Sequence, residues 1–224
     1  MKILFLGTGA ADYLLETDYG TEGYRRNSSV LINEKILIDP GPCVPEAIKT
    51  FGVDIKKIKY VISTHSHSDH FNKETLALLQ ENGAVFVKFN DGETKEFEGH
   101  CITALKGNHS IDVQHFIIND GKSKLFYALD SAWLMYEEIQ AVKEVGIDYA
   151  VLDGTIGFID GDYRVFEHCN LNMIIEMQKS LKEHIKCFCI SHLAKTLHPE
   201  HSAVCDSLKP YGIEVAYDGY EKEF

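Results

Sequence analysis

Tyr60-Val61-Ile62-Ser63-Thr64-His65-Ser66-His67-Ser68-Asp69-His70 is the stretch on which the reading of this chain turns. Residues 60–63 are apolar enough to predict a buried strand. That strand empties directly into four potential metal ligands, His65, His67, Asp69 and His70. Neutral imidazole nitrogens and a carboxylate suit zinc, manganese, iron or nickel. A loop founded on a strand end is rigid at its base and reachable by solvent. An exposed polar loop with chance histidines is the bland alternative. Ser66 and Ser68 argue against it, because small residues let the ligands crowd around an ion.

One short loop cannot close two coordination spheres, so further ligands are sought at the ends of other strands. Three residues stand there. His109 follows a strand predicted at 102–106, Asp130 ends one at 124–129, and His192 ends one at 187–190. A lone His at a strand end is more often structural than a ligand. The same placement repeated three times favours ligands, although His198 and His201 compete with His192.

Working outward, residues 2–6 read as a buried strand stopped by Gly7-Thr8-Gly9, and residues 10–27 as an irregular loop. Apolar runs at 30–32 and 35–38 flank Asn33-Glu34 as a hairpin, and Asp39-Pro40-Gly41-Pro42 breaks the chain. Helices are predicted at 45–51, 72–81, 132–145, 171–181 and 199–208. Further strands are predicted at 85–89, 101–106, 115–118, 149–152 and 214–217, with Asp91-Gly92 and Asp120-Gly121 as hairpin turns. Antiparallel strands come first, and strands alternating with helices follow. The order predicts an α/β protein of two sheets flanked by helices, folded as a single domain over residues 1–224.

Composition narrows the function. The 224 residues are 45% hydrophobic with a formal net charge of -12, so a substantial core is expected without disulfides. Acidic residues outnumber basic ones 34 to 22, which disfavours a grip on long nucleic acid and leaves room for a small anionic substrate steered by bound cations. The six cysteines contain no C-x-x-C pair and read as reduced buried thiols. The apolar run at residues 3–6 is too short for a secretory core, and no stretch approaches membrane-spanning length, so a cytoplasmic protein away from the membrane is expected.

The H-x-H-x-D-H loop, then a His, an Asp and a final His in that order, resembles the metallo-β-lactamase superfamily over essentially the whole chain. The Asp39-Pro40-Gly41 turn matches that family too. The resemblance implies a four-layer αββα sandwich carrying two divalent metal ions, zinc or manganese. By the same resemblance His65, His67 and His109 hold the first ion, Asp69, His70 and His192 the second, and Asp130 bridges both. Asp39 would orient the ligands from behind.

Tyr24-Arg25-Arg26-Asn27-Ser28-Ser29, His168-Cys169-Asn170-Leu171-Asn172 and the 212–219 stretch are together similar to the phosphodiesterases of the carbon–phosphorus lyase pathway, which open a cyclic sugar phosphate. That implies hydrolysis of a small cyclic phosphodiester by a metal-bridging hydroxide oriented by Asp69, with His168 contacting substrate. From spacing alone His168 is equally an exposed residue at a helix start. Arg25 and Arg26 are either bidentate phosphate ligands or surface charges on a long loop. Dimers are common in such families. Residues 10–27 hold no cysteine, so the structural zinc site of those phosphodiesterases is absent and the loop is ordered differently. The alternatives are a tRNA-processing nuclease, and a thioesterase or lactonase of the same fold.

Overall fold

A computed structural model describes all 224 residues, and its chain contacts divide it into two compact units. The first comprises Met1–Lys88 and Ala216–Glu223, the second Phe89–Val215 with Phe224.

In the first unit, β1 (Lys2–Gly7), β2 (Ser29–Ile32), β3 (Ile36–Ile38), β4 (Tyr60–Ile62) and β5 (Val85–Phe86) join the strand Glu221–Glu223 (β13) in one sheet. The sheet runs β13-β1-β2-β3-β4-β5, antiparallel as far as β3 and parallel beyond it. Asn33 and Glu34 turn the β2–β3 hairpin with φ of 48° and 60°, the positive values that a tight hairpin of this twist demands. Parallel pairing of β3 with β4 needs a crossover, supplied by α2 (Val44–Thr50), and α3 (Lys73–Glu81) links β4 to β5. Leu4, Leu6, Leu31, Leu37 and Val61 form the sheet's contribution to a core closed by Val44, Ala47 and Ile48 of α2 and Leu79 of α3. Asn72 caps α3 by accepting from the Thr75 amide at 2.9 Å.

In the second unit, β6 (Thr94–Phe97), β7 (His100–Lys106), β8 (Gln114–Asn119) and β9 (Lys124–Ala128) form an antiparallel meander. Beyond them β10 (Ile147–Asp153), β11 (Ile185–Ser191) and β12 (Ile213–Val215) are parallel, each reached through a helix: α4 (Tyr136–Val145), α5 (Leu171–Leu181) and α6 (His201–Leu208). Val142, Ile174, Leu181, Val204 and Leu208 of the helices pack on Phe126, Ala128, Ala150, Leu152, Phe188 and Ile190 of the strands. Parallel strands end at one edge of a sheet, so β10 and β11 deliver Asp153 and His192 side by side.

Several elements differ from the sequence reading. β6 and β13 are half-exposed edge strands whose polar residues, Thr-Lys-Glu-Phe and Glu-Lys-Glu, carry no hydrophobic period. Asp91-Gly92 therefore precedes β6 instead of turning a hairpin into β7, and the predicted 85–89 strand shrinks to two residues. A short helix, α1 (Leu15–Asp18), stands in the loop read as irregular, and α4 starts at Tyr136, not at 132. All six cysteines are free, and no helix is long and apolar enough to cross a membrane.

Candidate metal centre

Each unit carries its own group of ligand-type side chains. In the first, the chain leaves β4 through Ser63 and Thr64 into the histidine loop. Asp39, fully buried with φ of 64° just after β3, anchors that loop. Its carboxylate accepts from the Thr64 amide at 2.7 Å, from Thr64 Oγ1 at 2.9 Å and from His70 Nδ1 at 2.8 Å. With Nδ1 donating to Asp39, His70 turns the lone pair of Nε2 toward Asp69 Oδ2, 3.3 Å away. Thr64 Oγ1 spends its proton on Asp39 and so accepts from His65 Nδ1 at 2.9 Å. His65 Nε2 is then an acceptor, 2.9 Å from His67 Nδ1. Gly41 makes the packing possible, since a Cβ there would sit 2.2 Å from the Asp69 carbonyl oxygen.

In the second unit, Asp130 follows β9 with φ of 54°, a left-handed backbone that lifts its carboxylate off the strand line. Oδ2 lies 3.4 Å from His192 Nε2, and Oδ1 lies 3.9 Å from His109 Nε2. The far nitrogens are again held: His109 Nδ1 donates to the Glu167 carbonyl at 3.0 Å, and His192 Nδ1 bonds Thr155 Oγ1 at 2.7 Å. His168 stacks on His192 at 5.6 Å between ring centroids, and its Nδ1 donates to Asp153 Oδ2 at 2.8 Å. Burial alone would lower the His168 pKa, but the charge of Asp153, with that of Asp130 behind it, raises it to about 9. Burial pushes the Asp153 carboxyl the other way, and His168 outweighs it, holding the acid below its ordinary range.

The structure thus gathers His65, His67, Asp69 and His70 in one unit, and His109, Asp130, His168 and His192 in the other. His198 and His201 stand apart from the second group: His198 Nε2 donates to the Gly154 and Thr155 carbonyls at 2.7 and 3.1 Å, and His201 pairs with Cys205 on α6. His168 is not an exposed residue at a helix start; its side chain is 13% exposed.

Arg25 and Arg26 require correction as substrate ligands. Both are buried. Arg25 donates to Thr8 Oγ1 at 2.7 Å and the Ala216 carbonyl at 2.9 Å, and Arg26 is clamped between Glu46 and Asp218. These bonds, with Asn27 Nδ2 donating to the Ala10 and Tyr13 carbonyls and edge-to-face contacts of Tyr24 with Tyr13 and Tyr19, order residues 10–27. The guanidinium groups are occupied by partners more than ten residues away in sequence, which local spacing does not reveal.

Sequence reasoning missed Asp153 and Thr155. Asp153 did carry a signal, an acid ending an apolar strand as Asp130 does. Thr155 carried none, because a hydroxyl that steers an imidazole looks like any turn residue.

Residues 23–72 match the family model described as the metallo-beta-lactamase superfamily. No curated protein matches the chain. Solved structures match it from end to end. A diphosphatase from the PhnP family aligns with a TM-score of 0.74 at 20% identity, covering 100% of this chain and 97% of that one. The metallo-beta-lactamase fold protein YhfI from Bacillus subtilis aligns at 0.78 and 17%, over 100% and 99% of the two chains. Zn(2+)-bound PqqB from Methylobacterium extorquens aligns at 0.78 and 17%, over 100% of both.

Proposed function

Because this chain has the metallo-β-lactamase fold, we propose that it is a dinuclear metal-dependent hydrolase acting on a small phosphodiester. The ligands of the two divalent ions, zinc or manganese, are His65, His67, Asp69, His70, His109, Asp130 and His192. One observation carries the reading. Imidazole nitrogens whose partner nitrogens are already held face carboxylate oxygens, Asp69 at 3.3 Å from His70 and Asp130 at 3.4 Å from His192. At His70, whose Nδ1 proton goes to Asp39, acceptor against acceptor at 3.3 Å is repulsive unless a cation or proton intervenes. Imidazole and carboxylate together are the donor set of zinc and manganese.

Bound divalent cations at such a centre acidify water and neutralise charge developing on a phosphoryl group. The chain's own residues do the rest. Asp39, Thr64 and the Glu167 carbonyl fix His70, His65 and His109 in one tautomer each, and Thr155 holds the orientation of the His192 ring, so that no reorientation is needed when substrate arrives. Asp153 accepts from His168 Nδ1 and fixes the ring, so that Nε2 is the atom through which His168 would deliver a proton to a departing oxygen. The small anionic substrate is drawn to cations and not to arginines, since Arg25 and Arg26 are spent on the fold.

The likeness of the Arg25–Arg26, His168 and 212–219 stretches to the cyclic-phosphate phosphodiesterases favours phosphorus over carbonyl chemistry, and the PhnP-family diphosphatase adds pyrophosphate bonds to the candidates. The test is a panel of a cyclic phosphodiester, a bis-aryl phosphodiester, a diphosphate, a thioester and precursor tRNA, with and without chelator. Chelator-sensitive turnover of the phosphorus esters is expected, and His168→Ala should lower kcat by about 10²–10⁴-fold with metal content unchanged. Turnover confined to the thioester would refute the phosphodiester reading. Activity surviving the loss of both Asp69 and Asp130 would refute the metal mechanism.

A further inference from the structure

β8 carries His115 into the interior of the second unit, where the ring is completely buried. Both ring nitrogens meet acceptors. Nδ1 lies 2.5 Å from Glu138 Oε1, and Nε2 donates to the Leu129 carbonyl at 3.0 Å. The Leu129 carbonyl can only accept, so Nε2 carries a proton, and the short Nδ1–Glu138 contact is held by a proton shared between ring and carboxylate. Glu138 is itself fixed at the start of α4, where Oε2 accepts from the Met135 amide at 2.7 Å.

The position of this pair matters more than its charge. Leu129 immediately precedes Asp130, whose left-handed backbone needs to be held by its surroundings. On its other side the imidazole fills the space over Gly107, where a Cβ would meet Cε1 and Nε2 at 2.6 Å. Gly107 opens the turn that presents His109. The two turns are joined by the Asn108 amide donating to Ser131 Oγ at 3.2 Å and the Ala132 amide donating to the Asn108 carbonyl at 3.0 Å. A phenyl ring would fill the same space but would leave the Leu129 carbonyl without its donor.

We propose that the buried His115–Glu138 pair is a positioning device that sets the Asp130 and His109 turns so that both side chains reach a common cation. It rests on the ligand assignment above. His115 and Glu138 touch neither substrate nor metal in this scheme, and act only through the backbone they hold.

The test titrates Co²⁺ into chelator-stripped full-length protein, reading ligand-field absorbance, with a chromophoric chelator as competitor. The parent should bind two ions. His115→Gln keeps a donor for Leu129 but turns a carbonyl toward Glu138; it should lower the affinity of one binding step by about 10–100-fold and alter the Co²⁺ spectrum, with the far-UV spectrum unchanged. The double variant His115→Gln with Glu138→Gln restores a donor to that contact and should recover most of the loss. If His115→Gln does not fold, Glu138→Gln alone, which leaves the ring in place, should weaken the same step. Parental affinities and spectrum in the folded variants, with only a lower Tm, would overturn the proposal and leave an ordinary core pair. A parent that binds no divalent ion would instead overturn the ligand assignment, and the proposal with it.

Discussion

Asp39→Asn is the sharpest test of how the histidine loop is held. Asp39 accepts from the Thr64 amide, the Thr64 hydroxyl and His70 Nδ1, with the Ser63 hydroxyl at 3.3 Å. Asparagine has the same shape and also tolerates the left-handed φ of 64°, so the backbone is not the variable. Its single oxygen can keep the Thr64 bonds, but its amide then faces His70 Nδ1–H, donor against donor. One hydrogen bond to a charged group is lost, worth about 1.5–3 kcal/mol, and a buried donor is left unsatisfied. A total near 3 kcal/mol lowers Tm by roughly 6–12 °C in a chain of this size. Calorimetry in the presence of chelator measures that loss without metal. Freed from Asp39, His70 no longer holds Nε2 toward Asp69, so competition titration should show a metal affinity about 10–100-fold weaker. A Tm within about 1 °C of the parent together with unchanged affinity would refute the idea that Asp39 orients this loop.

Gly41→Ala should destabilise the same region from outside the hydrogen-bond network, because the new methyl lands on the Asp69 carbonyl; a drop in Tm of several degrees is expected, and an unchanged Tm would show that the loop yields freely. Arg26 holds Glu46 with its pKa depressed to about 2, and a depressed acid stabilises the fold above its ordinary pKa near 4.5 and loses that contribution as pH falls toward 2. Denaturant titrations should therefore show Glu46→Gln costing about 1 kcal/mol at pH 6, once solvent screening is applied, and less at pH 2.5. Equal losses at both pH values would remove Arg26–Glu46 as the cause. Arg25→Gln should lower Tm by several degrees while KM for any substrate found stays within about twofold; a large rise in KM at constant Tm would return Arg25 to the substrate.

The ligand types and their strand-end placement were legible because both are local. Val61 and Ile62 mark a buried strand, and whatever follows is delivered to its edge. The parallel half of the second sheet was legible for the same reason, since β10 and β11 are continuous apolar runs separated by an amphipathic helix. β6 and β13 were not, because an edge strand owes its existence to a neighbour's free hydrogen bonds and needs no pattern of its own.

What the sequence determined by itself is the set of His and Asp side chains proposed as metal ligands and the strands that carry them. What only the tertiary structure decided is which partner each buried charged side chain meets. Arg26 meets Asp218 across 192 positions, His115 meets Glu138 across 23, and His168 meets Asp153 across 15. A charge's partner is fixed by where the packed backbone points it. That direction is settled by the whole core at once and leaves no periodic trace in the chain.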